Sequence, residues 1–271
     1  MSRNAERINQ PNITTTEIPE QQATYSPPTT LVKLPSEGKF YPQGHPLYDK
    51  ETVEVKAMTT RQEEILTNES ILQSGEVVDR LIKSVLVDQK LDPSTLLTGD
   101  KNAILVALRI DGYGEDYEIN VSCPACSTPK QEIIDLSQLG VKGLNSSVET
   151  TEAGTFVVEL PRTKAKVELR LMDGNDEKYV AEANRKQKKY GIERPLANQY
   201  SRMIVSVNGD PDPSVISSFA SSMPAFDSRF LRKAYKAVNP DVDMSFNFQC
   251  SHCGHEQGME VPVTANFFWS E

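Results

Sequence analysis

Positive charge is scarce in this chain. Its 271 residues hold 29 Lys and Arg against 38 Asp and Glu, a net charge of −9. A general nucleic-acid binder needs a basic footprint to displace counterions, so that class is disfavoured. Long apolar runs are missing too, and nothing reaches the ~18 residues of a membrane span. The opening Met-Ser-Arg-Asn-Ala-Glu-Arg leads into no apolar h-region, so no secretory signal is expected. Cysteine is sparse: four residues are too few for a disulfide scaffold in a chain of this length. Histidine is sparser still, with three residues: His45 precedes Pro46, and His252 and His255 accompany a cysteine pair. The sequence has no GxxxxGK[ST], no GxGxxG after a strand, no HExxH and no GxSxG. Asp173-Gly174-Asn175-Asp176 lacks the spaced carboxylates and closing Glu of a calcium loop and reads as a turn and helix cap. No nucleophile is paired with a base, so no residue takes a catalytic role and a non-enzyme is expected.

What is present divides into four stretches. Residues 1–30 hold Pro11, Pro19, Pro27 and Pro28 and no Leu, Val, Phe or Trp. They cannot bury enough apolar surface to offset their ordering entropy, so an extended arm that orders on a neighbouring subunit is expected. Residues 31–136 read as an N-terminal α+β region. Leu34-Pro35-Ser36-Glu37-Gly38-Lys39-Phe40-Tyr41-Pro42 is turn-rich, and Thr52 to Ala57 alternates like a strand. Thr59 or Thr60 with Glu63 suggests a capping box. Val77, Val78, Leu81, Ile82, Val85 and Leu86 recur at helical spacing. A third helix starts near Asp100, buries Ile104, Leu105 and Leu108, and is stopped by Gly112 and Gly114. Arg109 is read as a partner for carbonyls at that helix's C-terminus.

Residues 137–240 read as an insertion. A polar loop precedes a strand pair, Thr155 to Leu160 and Lys166 to Leu171. A charged helix follows from about Asp176 to Tyr190, with Arg185, Lys186, Lys188 and Lys189 on a solvated face. Three more helices are expected: one holding Leu196, Tyr200, Met203, Ile204 and Val207, one after Pro213, and one from Phe226 to Val238.

The strongest chemical signal joins the second and fourth stretches. Cys123-Pro124-Ala125-Cys126 and Cys250-Ser251-His252-Cys253 are separated by 123 residues (127–249). Each pair follows an alternating strand (Tyr117, Ile119, Val121; Met244, Phe246, Phe248) and precedes another, so both read as hairpins with a knuckle at the tip. Two such hairpins can present four thiolates to one tetrahedral zinc. Buried free thiols, disulfides and a redox motif are the competing readings. Neither pair sits in the βαβ setting of a redox motif, and an intracellular setting disfavours disulfides. Either histidine could replace a cysteine, but Cys123, Cys126, Cys250 and Cys253 suffice and leave no open position, so the zinc is structural. The fold class is therefore α+β: a zinc-ribbon-like pair of β-hairpins, an N-terminal helical region and an inserted helical subdomain. Residues 241–271 carry the second knuckle and end in Phe267-Phe268-Trp269, which can dock into the core or insert into a neighbour.

Three groups of residues together resemble a known family. They are Leu34-Pro35-Ser36…Gly38…Phe40-Tyr41-Pro42; Asp100…Ile104-Leu105…Leu108-Arg109…Tyr113-Gly114…Tyr117 leading into Cys123-Pro124-Ala125-Cys126; and Phe248-Gln249-Cys250…Cys253-Gly254-His255-Glu256 with Phe267-Phe268-Trp269. From about Leu34 onward the chain resembles the baseplate hub subunits of T-even-like contractile-tailed bacteriophages. The resemblance implies a structural virion protein, made in the host cytoplasm and built into the tail baseplate. Its implied partners are other baseplate and tail subunits, with copies of itself a further candidate. No small-molecule substrate, membrane or nucleic-acid partner is implied. An assembly chaperone that leaves before maturation, or a zinc-ribbon nucleic-acid binder, is the alternative.

Overall fold

The computed structural model describes residues 26–67, 76–143, 150–191, 194–261 and 265–268. Residues 1–25 of the expected arm, and Trp269, lie outside these. The chain is an α+β protein of helices and small antiparallel sheets. Among the described residues no helix is long and apolar enough to cross a membrane.

Strand β1 (Thr29–Lys33) begins inside the stretch expected to be an arm and pairs antiparallel with β2 (Thr52–Lys56), Val32 opposite Val53. Helix α1 (Thr60–Thr67) follows Thr59, whose amide and hydroxyl both donate to Gln62 Oε1. The side chain that reaches back to Thr59 is thus Gln62 rather than Glu63, because Thr59 lies three positions before it. Helix α2 (Val77–Val85) buries Val77, Leu81, Ile82 and Val85 as its spacing predicts. Helix α3 (Thr98–Tyr113) runs through Gly112 and ends only at Gly114, whose φ of +87° closes it. One glycine in a helix is tolerated; a left-handed residue is what stops it.

Two antiparallel hairpins carry the cysteines. The first pairs β3 (Asp116–Ser122) with β4 (Pro129–Asp135), and the second pairs β10 (Ser245–Gln249) with β11 (Glu256–Glu260). Short strands β5 (Val141–Lys142) and β9 (Asp241–Val242) pair with each other at either end of the 137–240 stretch. Within that stretch β6 (Thr155–Glu159) and β7 (Lys166–Arg170) pair as expected, and a third strand joins them. This is β8 (Ile204–Val207), where the sequence suggested the end of a helix. Helix α5 (Pro195–Met203) stops at Met203, and the run Ile204-Val205-Ser206-Val207, β-branched at all positions but Ser206, fits a half-buried strand better. Helices α4 (Gly174–Lys188), α6 (Pro213–Ser222) and α7 (Ala225–Val238) complete the set. One continuous apolar core runs from Val32 to Phe268 and includes Leu81, Ile104, Phe156, Leu169, Tyr200 and Leu231.

Helix α3 ties these pieces together. Asp100, fully buried in its first turn, accepts bonds from the Ser36 amide (3.0 Å), the Ser36 hydroxyl (2.6 Å) and the Tyr41 hydroxyl (2.8 Å). Burial pushes the Asp100 carboxyl above the usual carboxylate range, and the three donors offset this only in part. The Tyr41 hydroxyl also accepts from the Leu97 amide, at 3.1 Å. The turn-rich signature is thereby fastened to the start of α3. At the same end, a Cβ on Gly99 would lie 2.0 Å from the Pro240 carbonyl oxygen, and one on Gly143 1.9 Å from that of Asn239. The chain returning from α7 passes against both glycines.

His45 stacks on Tyr41, with ring centroids 4.3 Å apart. Its Nδ1 accepts from the Leu47 amide, so its Nε2 carries the proton and donates to Thr95 Oγ1 at 2.9 Å. Tyr41→Phe removes one donor to a buried carboxylate and one acceptor for an amide. It should destabilise the fold by about 1–3 kcal/mol in urea denaturation. Burial holds the His45 pKa below its ordinary value of 6.5. The stability this contributes is therefore complete above the unfolded pKa and lost as pH falls through the folded one. His45→Gln should flatten the loss of stability below about pH 6, measured as urea midpoints against pH.

Candidate metal centre

The two knuckles have the same backbone wiring. Cys123 N donates to Thr128 O at 2.9 Å and Ser127 N to Cys123 O at 2.8 Å. Cys250 N donates to His255 O at 2.9 Å and Gly254 N to Cys250 O at 3.0 Å. In both, the residue after the second cysteine is left-handed: Ser127 with φ of 59° and Gly254 with φ of 72°. Glycine takes that conformation freely and serine at a small cost. Each loop thus turns both of its sulfurs to the same side.

The hairpins meet tip to tip. Cys123 Sγ lies 3.7 Å from Cys253 Sγ, and Cys126 Sγ lies 3.7 Å from Cys250 Sγ. All four sulfurs lie within 4.8 Å of one another. A disulfide needs sulfurs about 2.05 Å apart, so these are four thiols brought together and not two bridges. Four sulfurs at ~2.3 Å from a common tetrahedral centre would stand about 3.8 Å from each other, so the four cysteines can hold a metal ion.

The electrostatics point the same way. The Thr128 hydroxyl, 3.2 Å from Cys126 Sγ, and the Thr128 amide pull the Cys126 thiol down to about 6. Amides of Cys253 and His252 lower Cys250. For Cys253 the His255 amide favours the thiolate, but the other sulfurs crowding it prevail and push it up to about 12. Backbone donors thus favour thiolates here, while their mutual repulsion opposes the last ionisation unless a cation sits among them.

The sulfurs rest on a small apolar cluster of their own, with Phe248 and Cys123 1% exposed and Val121, Phe246 and Met259 around them. Lys130, which sequence reasoning passed over, clamps the hairpins together. Its Nζ donates to Gln249 O at 2.9 Å and lies 5.7 Å from the Phe248 ring centroid. The signal was a lone cation following the first knuckle, which spacing alone does not distinguish from a surface lysine. His252 is exposed, and His255 Nε2 lies 3.4 Å from Gln257 Oε1. Neither joins the cysteine group.

Arg109 sets the angle of the first hairpin. It donates to the carbonyls of Gly114 (3.0 Å) and Asp116 (3.3 Å) and lies over the rings of Tyr113 and Tyr117, as its position near the helix end suggested. Phe267 and Phe268 pack beside it, Phe267 against Tyr117 at 4.9 Å and Phe268 against Tyr113 at 6.4 Å. They are 0% and 3% exposed. Of the two readings open to the C-terminal aromatics, Phe267 and Phe268 take the first and dock into the chain's own core; Trp269 lies outside the described residues.

Neither the curated proteins nor the solved structures give a match to this chain. A family model does: that of the T4 bacteriophage base plate protein, over residues 26–269. The matched stretch contains the buried Ser36–Tyr41–Asp100 network, both hairpins and all four cysteines, and the chain belongs to this family of T4-type phage base plate proteins.

Proposed function

We propose that the chain is a structural subunit of the hub region of a contractile-tail baseplate, stabilised by one structural zinc on Cys123, Cys126, Cys250 and Cys253. Family membership gives the coarser frame: a structural baseplate component, a place in the virion tail and contacts with other baseplate or tail proteins. The observation that carries the metal reading is the four-sulfur cluster, with two separations of 3.7 Å and all within 4.8 Å, built from two identically wired knuckles. Thiolates suit zinc, and four protein ligands leave no position for a water or substrate, so the centre is read as structural and the protein as non-catalytic. The zinc-ribbon comparison rests on the same two hairpins. For the hub position the support is sequence resemblance, in motifs that the fold brings into contact: Ser36 and Tyr41 of the first with Asp100 of the second. Residues 1–25 are read as the arm that a neighbouring subunit orders.

Metal analysis of the purified chain should give about one zinc per chain. All four thiols should resist labelling until a chelator is added, and chelation should lower Tm by about 5–10 °C. A metal-free chain whose four thiols label at once in the native state would sink the zinc reading. Placement in the particle is checked by mass spectrometry of purified virions. The full chain should be found there, and a chain lacking residues 1–25 should fold yet be recovered in fewer particles. A chain needed for tail assembly but missing from finished virions would instead be an assembly chaperone.

A further inference from the structure

Charge is segregated along this chain. Residues 161–240 carry 15 Lys and Arg against 9 Asp and Glu, a net of +6, while the remaining residues carry 14 against 29, a net of −15. Four of these cations lie on α7, which holds a single acid. Phe226 and Phe230, one turn apart, are 57% and 40% exposed there. Arg229 and Lys233 lie on the same stripe, with Arg232 and Lys236 beside it, all exposed. Among the described residues no carboxylate forms an ion pair with any of these four cations. The helix's own acid, Asp227, is buried and occupied by the amides of Arg162 and Thr163. Arg162 in turn lies over the Phe226 ring at 5.6 Å. Exposed phenylalanines with arginine beside them have the composition enriched at interfaces, with the lysines suited to a charged rim.

The complementary surface is on the same chain. Strand pairing sets Asp116 opposite Asp135 and Glu118 opposite Ile133, so these four side chains share one face of the first hairpin. That face is exposed, carries no cation, and has Ile133 at its centre, 63% exposed. The sizes agree. The stripe from Phe226 to Lys233 spans ~10 Å of helix, and the two cross-strand rows lie ~7 Å apart.

We propose that a second copy of this chain lays the Phe226–Phe230 face of its α7 on the Glu118–Ile133 face of the β3–β4 hairpin, joining copies head to tail. The phenylalanines cover Ile133, and Arg229 and Lys233 meet Asp116, Glu118 and Asp135. The contact is heterologous: a joined pair keeps one α7 face and one hairpin face free, so copies add into a ring or a short row. The contact stands apart from the metal reading, since it uses the outward side chains of the hairpin and none of its cysteines.

Sedimentation of the full chain at about 100 μM tests this, because exposed charge pairs are screened by salt. In about 50 mM NaCl the average mass should exceed the 30.2 kDa of one chain, and at about 500 mM the apparent Kd should rise at least tenfold. Arg229→Glu with Lys233→Glu should give monomers at low salt, and so should Asp116→Lys with Glu118→Lys. All four residues are exposed, so folding is expected to survive, and circular dichroism checks it. Mixing the two variants should restore association, since each keeps the face the other has lost. A wild-type chain that stays monomeric at low salt overturns the proposal. So does association that survives either pair of substitutions, or a mixture that remains monomeric. Binding of a short DNA duplex that is lost with Arg229→Glu and Lys233→Glu, without self-association, would reassign the α7 face to nucleic acid.

Discussion

The structure depends on a carboxylate buried at the start of one helix. Asp100 is fully enclosed and survives there because Ser36 and Tyr41 supply three donors. That network fixes the turn after β1 to α3, and neighbouring positions on α3 fix almost everything else. Asn102 bonds Asp241 at the entrance to the second hairpin, Thr98 bonds Glu177 of α4, and Lys101 pairs with Asp79 of α2. Gly99 admits the Pro240 backbone, and Arg109 holds the start of the first hairpin. Removing a donor from Asp100 therefore disturbs the reference frame on which both hairpins are mounted.

This frame changes how the distance between the cysteine pairs is understood. A metal closing a gap of 123 residues in an unfolded chain would oppose a large loop entropy. Here α3 and the continuous core already carry both hairpins to the same place, and the sulfurs close only the last few ångströms. The two apolar clusters express this division. The main core draws on every sheet and on every helix but α4, whereas Cys123, Phe248 and Cys250 form a separate small one at the tips. A cation among the sulfurs relieves thiolate repulsion at the tips, so its effect on stability is concentrated there and not spread through the core.

How much of this the sequence revealed follows from the range of each interaction. Period-two strands, period-3.6 helices and paired Cys-x-x-Cys motifs are local patterns, and the hairpins, α2, α4, α6 and α7 were legible from them. Arg109 was legible too, because carbonyls are always available at a helix end. The reading erred or stayed open where a local pattern fitted two structures. Ile204 and Val207 suit the apolar spacing of a helix as well as an edge strand, and pairing with β7 decides between them. Phe267-Phe268 suits docking or insertion, and the space beside Tyr113 and Tyr117 decides. What remained invisible was non-local. Nothing in the spacing joins Ser36 to Asp100 across 64 residues, or shows that Gly99 and Gly143 are small because Asn239 and Pro240 pass against them.

Net charge misleads in the same way, because it is a sum over the whole chain. A value of −9 describes a uniformly acidic protein and argues against nucleic acid, yet it conceals a basic stretch of +6 beside a remainder of −15. Long-range repulsion between copies is governed by the total, but docking is governed by the patches within a Debye length of contact, about 8–10 Å at moderate salt. A chain with opposite patches on different faces can therefore repel its copies at a distance and still join them in one orientation. That combination suits a subunit of an ordered assembly. Encounters in the wrong orientation bring acid against acid and separate, and the exposed phenylalanines of α7 are buried only where a complementary acidic face carries an apolar centre.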